Sequence, residues 1–80
     1  MRHYNYTVIF QPTEEGGYIV TVPALPGVIT EGDTLEEAKA MAIDAIKGYL
    51  EALMKDGKPI PKDITDEPRI HRLRVAMEYA

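Results

Sequence analysis

Twenty-one consecutive residues, Leu35 to Lys55, contain no proline, while all six prolines of the chain fall outside them. The stretch is rich in Ala, Leu, Met, Glu and Lys, the residues that lose least on entering a helix. Its ends are marked by chemistry. Thr34 and Glu37 make a T-x-x-E capping box, in which the threonine hydroxyl accepts an orphan N–H and the glutamate reaches back. Asp33, Glu36 and Glu37 sit at the positive end of the helix dipole. Lys55 closes the last turn, and Gly57 suits a left-handed C′ position ahead of Pro59. The spacing predicts one helix over residues 35–55, a rod of roughly 30 Å at 1.5 Å per residue. Everything else must be strand or connector.

Period-two patterning supplies the strands. Tyr4 to Gln11 alternates, with Tyr4, Tyr6, Val8 and Phe10 on one side and Asn5, Thr7, Ile9 and Gln11 on the other. Pro12 to Gly17 reads as a turn and Tyr18 to Val22 as a second strand, so the two form a hairpin. Pro23-Ala24-Leu25-Pro26-Gly27 interrupts pairing, because neither proline donates a backbone bond. Val28 to Glu31 is a short third strand. Lys58 to Asp63 is a proline-stiffened connector with Ile60 and Ile64 as anchors. A last strand is expected over Arg69 to Tyr79, with His71, Leu73, Val75, Met77 and Tyr79 on one face and Ile70, Arg72, Arg74, Ala76 and Glu78 on the other. The expected fold is α+β, order β-β-β-α-β: a mostly antiparallel sheet with one long helix on one face, all in a single domain of residues 1–80.

Such a helix must bury a stripe. Leu35, Ala38, Ala42, Ala45, Tyr49 and Leu53 follow 3-4 spacing, and the alanines allow a close approach to the sheet. Met41, Ile43, Ile46, Leu50 and Met54 widen the apolar surface beyond one sheet face. They are covered either by the segment Lys58 to Pro68 or by another chain. The second sheet face, with Thr7, Ile9, Ile19, Thr21, Ile70, Arg72 and Arg74, is mixed, and is read either as a solvated face or as a partner surface.

A domain of eighty residues buries only about 60% of its unfolded surface and is marginal without a staple. Cysteine is absent, which removes disulfides and thiolate metal sites. The two histidines, His3 and His71, lie at opposite ends of the chain. Burial against another copy is the remaining source of stability, so a homo-oligomer, dimer or tetramer, is expected. No apolar run reaches the ~20 residues of a membrane span, and the N-terminus lacks a signal-peptide core, so the expected location is cytoplasmic.

Charge narrows the partner class. The formal net charge is −4. Residues 1–34 carry Glu14, Glu15, Glu31 and Asp33 against Arg2 alone, a net of −3. An acidic body is a poor match for phosphate backbones and a good one for a basic protein. From chemistry alone, Glu14, Glu15, Glu31 and Asp33 are the candidate partner contacts. Catalysis finds no support. There is no serine, the acids fall in turns or on the wet side of the helix, and the glycines form no phosphate loop. No catalytic residue, metal or cofactor is expected. The competing possibility is an RNA binder or residual ribonuclease using Arg69, Arg72 and Arg74.

Tyr18 to Gly27 (YIVTVPALPG), Thr30 to Ala38 (TEGDTLEEA), Tyr49 to Leu53 and Gly57 to Pro61 together resemble the core signature of HicB-family antitoxins, over about Tyr6 to Pro61. The resemblance implies a fold similar to a truncated ribonuclease H, in the same β-β-β-α-β order. It also implies a role: neutralising a small basic HicA-type mRNA-cleaving toxin by binding it. The strand carboxylates that would hold metal ions in a ribonuclease H are missing here. Many members of the family continue into a DNA-binding module. This chain ends at Ala80, so no C-terminal DNA-binding domain and no DNA binding are expected of it.

Overall fold

A computed structural model describes residues 2–64 and 70–78. Three strands, β1 (Ile9–Pro12), β2 (Tyr18–Thr21) and β3 (Ile29–Gly32), precede one helix, α1 (Leu35–Lys55). The strands form an antiparallel sheet in the order β1-β2-β3. Its register pairs Phe10 with Val20 and Val20 with Thr30. The fold is α+β, with the helix packed on β2 and β3.

The β1–β2 turn closes when Thr13 N–H donates to the Gly17 carbonyl at 2.8 Å and Gly17 N–H donates to the Thr13 hydroxyl at 3.2 Å. Gly16 supplies the left-handed residue at φ 95°. After β2, the interrupting Pro23–Gly27 stretch folds inward. Leu25 N–H donates to the Val22 carbonyl, Val28 N–H donates to the Leu25 carbonyl, and the Leu25 side chain is wholly buried.

The helix occupies the expected span. Thr34 is extended, and its hydroxyl accepts the Glu37 N–H at 3.0 Å. The return arm from the Glu37 side chain is not among the bonds formed by the described residues, so only half of the capping box is made. At the far end Lys58 N–H donates to the Leu53 carbonyl and Gly57 N–H to that of Met54. With Gly57 at φ 68°, this is a Schellman motif.

The core has two adjoining clusters. Val22, Leu25, Val28 and Leu50 form one, flanked by Tyr6, Tyr49 and Ile60; Val20, Ala38 and Ala42 form the other, against Phe10 and Tyr18. The helix face differs from the expected stripe at its start. Leu35 is exposed, and Leu50, assigned above to the surplus, is buried. The sheet runs under Ala38 and Ala42, which turns the first residue of the helix past its edge.

Two strand expectations need correction. Tyr4 to Val8 lie outside β1, which starts at Ile9, because β2 ends at Thr21 just before Pro23 and leaves no partner opposite them. The last strand, expected over Arg69 to Tyr79, is not formed: residues 70–78 carry no strand and are exposed throughout. Arg69 and Tyr79 lie outside the described residues. Alternation specifies which side chains share a face, but a strand also needs a neighbour to accept its backbone bonds. Arg72 and Arg74 are therefore not on the sheet face where the sequence pattern had put them.

Candidate partner-binding surface

The antiparallel register decides where the acidic residues meet. Tyr18 lies opposite Gly32 and Ile19 opposite Glu31. The hairpin turn before β2 is thus brought beside the end of β3 and the start of α1. Contact is close: a Cβ placed on Gly17 would sit 2.9 Å from the Gly32 carbonyl oxygen. Glu14 and Glu15 from the turn, Glu31 from β3 and Asp33 from the β3–α1 link all line one open hollow of about 870 Å³. The four acids singled out from the sequence as partner contacts therefore share one surface.

Glu37, Ile19 and Met41 also line it, though the sequence reading did not single them out as contacts. Glu37 was assigned to the helix cap. Its place in the first turn, three residues after Thr34, puts its carboxylate at the same end of the sheet. Ile19 and Met41 add exposed apolar area to the hollow. Among the described residues, no Lys or Arg lines it. Five carboxylates around an apolar patch, with the positive end of a 21-residue helix behind them, suit a cationic protein surface that also offers a hydrophobic contact.

A second concavity lies on the opposite side, between β1 and α1. Val8 and Phe10 line it from the β1 side, Ile43, Ile46 and Leu50 from the helix, and residues 2–6 from the N-terminal end. Its volume is about 600 Å³.

The connector after the helix is stitched to the approach to β1. Thr7 N–H donates to Asp63 Oδ1 at 2.9 Å, and the Thr7 hydroxyl donates to Asp63 Oδ2 at 2.8 Å. The Tyr6 hydroxyl donates to the Pro61 carbonyl. The Thr7 backbone N–H first, and then its hydroxyl, hold the Asp63 carboxyl below its usual range. Burial first, then the neighbouring Tyr4 and Asp63, raise the Tyr6 phenol. Ile60 packs against the core and Ile64 is half-buried, as anchors should be.

Among the described residues, no group of three His, Cys, Asp or Glu side chains could hold a metal ion, and no helix is long and apolar enough to cross a membrane.

Comparison with known proteins places these features in a family. Residues 6–80 match the family model described as the HicB_like antitoxin of bacterial toxin-antitoxin systems. The UPF0150 protein Ta0767 of Thermoplasma acidophilum is 46% identical over 66 residues, which is 82% of this chain and 96% of that protein. Antitoxin HicB 1 of Photorhabdus laumondii is 43% identical over 61 residues, 76% of this chain but 39% of its own length. The Escherichia coli K12 antitoxin HicB is 31% identical over 94% of this chain and 54% of its own. This chain thus spans nearly all of the archaeal relative and about half or less of the two named antitoxins. Among solved structures, the N-terminal domain of the Burkholderia pseudomallei antitoxin HicB superposes with a TM-score of 0.62 at 32% identity, covering 66% of this chain and 62% of that one. The chain belongs to the HicB-like antitoxin family of bacterial toxin–antitoxin systems.

Proposed function

We propose that this protein is the neutralising partner of a small basic HicA-type mRNA-cleaving toxin, and that it acts by forming a direct complex through the acidic hollow. The observation that carries the proposal is the gathering of Glu14, Glu15, Glu31, Asp33 and Glu37 around one concavity that no basic side chain of the described residues lines. A ribonuclease toxin must itself be cationic to hold RNA. Carboxylates displayed around a hollow compete for the same surface and steer the encounter. Ile19 and Met41 supply the apolar contact that fixes the complex once formed.

In this role the protein is a binder without catalysis of its own, working in the cytoplasm with its toxin, and its residues 1–80 act as one domain. The choice of a protein partner over nucleic acid is supported by the net charge of −4. It is supported too by the placement of Arg72 and Arg74 away from the sheet, which removes the flat basic surface that an RNA binder would use.

The test is co-expression with a HicA-type toxin. Growth rescue and co-purification of a stable complex are expected. Absence of both, with the toxin active and this protein folded, would sink the proposal. Binding of RNA lost on changing Arg72 and Arg74 to Ala would put the RNA-acting alternative in its place.

A further inference from the structure

The helix covers one face of the sheet. Phe10, Val20 and Thr30 are paired side by side and point toward α1, where Val20 packs with Ala38 and Ala42. Alternation turns their neighbours the other way. The register sets Ile9, Thr21 and Ile29 in one row across the outer face, and Gln11, Ile19 and Glu31 in the next. With strands about 4.8 Å apart and rows about 7 Å apart, Ile9, Ile19 and Ile29 form a triangle roughly 8–10 Å on a side around Thr21. Their side chains are 39%, 40% and 66% exposed.

This triangle adjoins the acidic hollow. Ile19 and Glu31 stand on the outer sheet face and also line the hollow, so the two surfaces are continuous. A stable protein–protein contact takes about 20–30 residues a side, more than line the hollow. The contact must therefore spread onto a neighbouring surface. On the helix side the apolar area runs out, since one turn beyond Met41 come Asp44 and the half-buried Ala45. On the sheet side it goes on, through Ile19 to Ile9 and Ile29. β-Branched side chains are stiff before they are buried, so such a face docks at low entropic cost.

We infer that the outer sheet face is the apolar half of the toxin contact. Ile9, Ile19 and Ile29 seat a flat apolar patch of the cationic toxin, while the carboxylates of the hollow meet its Lys and Arg side chains. The inference rests on the antitoxin role proposed above and gives the two halves different work. The hollow governs how fast the complex forms, through charge. The isoleucines govern how long it lasts, through burial. Charge selects the occupant. The three strands carry no Lys or Arg, and Glu31 lies opposite Ile19. A second copy would bring the same acids and no strand cation to meet them, and nucleic acid would set phosphates against carboxylates. A cationic protein with an apolar patch satisfies both halves.

The test uses the full chain and a HicA-type toxin, with association and dissociation rates read separately. Ile9→Thr with Ile29→Thr keeps β-branched side chains in both strands and takes away the apolar contact. The double variant should dissociate roughly tenfold faster or more, with an association rate within about twofold of the parent's. Ile43→Thr, at an exposed helix position away from this face, should match the parent in both rates. A measurement on the unsubstituted chain guards against misfolding of the variant. Toxin should shift the methyl NMR signals of Ile9, Ile19 and Ile29 and leave that of Ile43 in place. Parent-like dissociation of the folded double variant, or unshifted Ile9 and Ile29 methyls in a complex that forms, would overturn this inference and leave the antitoxin role standing. A parent chain that binds no toxin would remove the role itself, and the inference with it.

Discussion

Leu25 shows how a residue's burden is hidden by its neighbours. It sits between two prolines in a stretch that reads as an interruption of the sheet, yet it is the largest side chain that is wholly buried, and it closes the cluster of Val22, Val28 and Leu50. Leu25→Ala should cost about 2–5 kcal/mol, the range for emptying a core site that relaxes poorly. For a domain whose total is of order 5–15 kcal/mol, that is a large share, readable as a fall in the urea midpoint at an unchanged slope. The glycines offer a matched pair. A Cβ on Gly32 would lie 2.5 Å from the Ala38 backbone nitrogen and 2.7 Å from its Cα, whereas one on Gly48 meets nothing. Gly32→Ala should therefore destabilise by about 1–3 kcal/mol through overpacking. Gly48→Ala, in the exposed middle of the helix, should stabilise by roughly 0.5–1 kcal/mol. Thermal melts of the two variants should move in opposite directions.

Among the elements, the connector carries the most tertiary information for its length. Ile60 enters the core, and Asp63 holds both the backbone and the hydroxyl of Thr7, 56 residues away in sequence. Because the Asp63 carboxyl titrates lower in the folded chain, the charged form is the one that stabilises. Its contribution is fully present above the unfolded value of about 3.9 and is lost as pH falls through the lower folded value. Asp63→Ala should lower the melting temperature at pH 7. The gap to the parent should hold down to about pH 5 and close at the acid end. A gap independent of pH would show that lost packing, not the carboxylate, sets the effect. The helix, by contrast, is locally specified at both ends, by the Thr34 hydroxyl and by Gly57.

For the whole molecule, the decisive property is where charge collects. The five carboxylates of the hollow derive from a turn, a strand end, a link and a helix start, and only the fold makes them neighbours. Reversing Glu14, Glu15, Glu31 and Asp33 to Lys should slow association with a cationic toxin by one to three decades. The parent's rate should fall steeply with added salt, while the variant's should not. Stopped-flow binding at two ionic strengths reads both effects. Equal rates for parent and variant would move the toxin contact elsewhere on the surface.

Much was legible in the residues themselves. The helix span, its Thr34 start and its Gly57 end, the hairpin and the interrupting prolines follow from local chemistry, since caps, turns and propensity act within four or five residues. The acidic bias was likewise visible, because charge is a property of composition. Three things were decided only in three dimensions. The first is which helix residues are covered: Leu50, which packs on Val22, Leu25 and Val28 between β2 and β3, rather than Leu35. The second is the meeting of the acidic residues, set by antiparallel register. The third is the fate of residues 70–78, whose alternation specifies a strand face while leaving its partner open. Side-chain period is written along one chain, but backbone pairing takes two strands, and the second strand is chosen by whatever edge lies within reach.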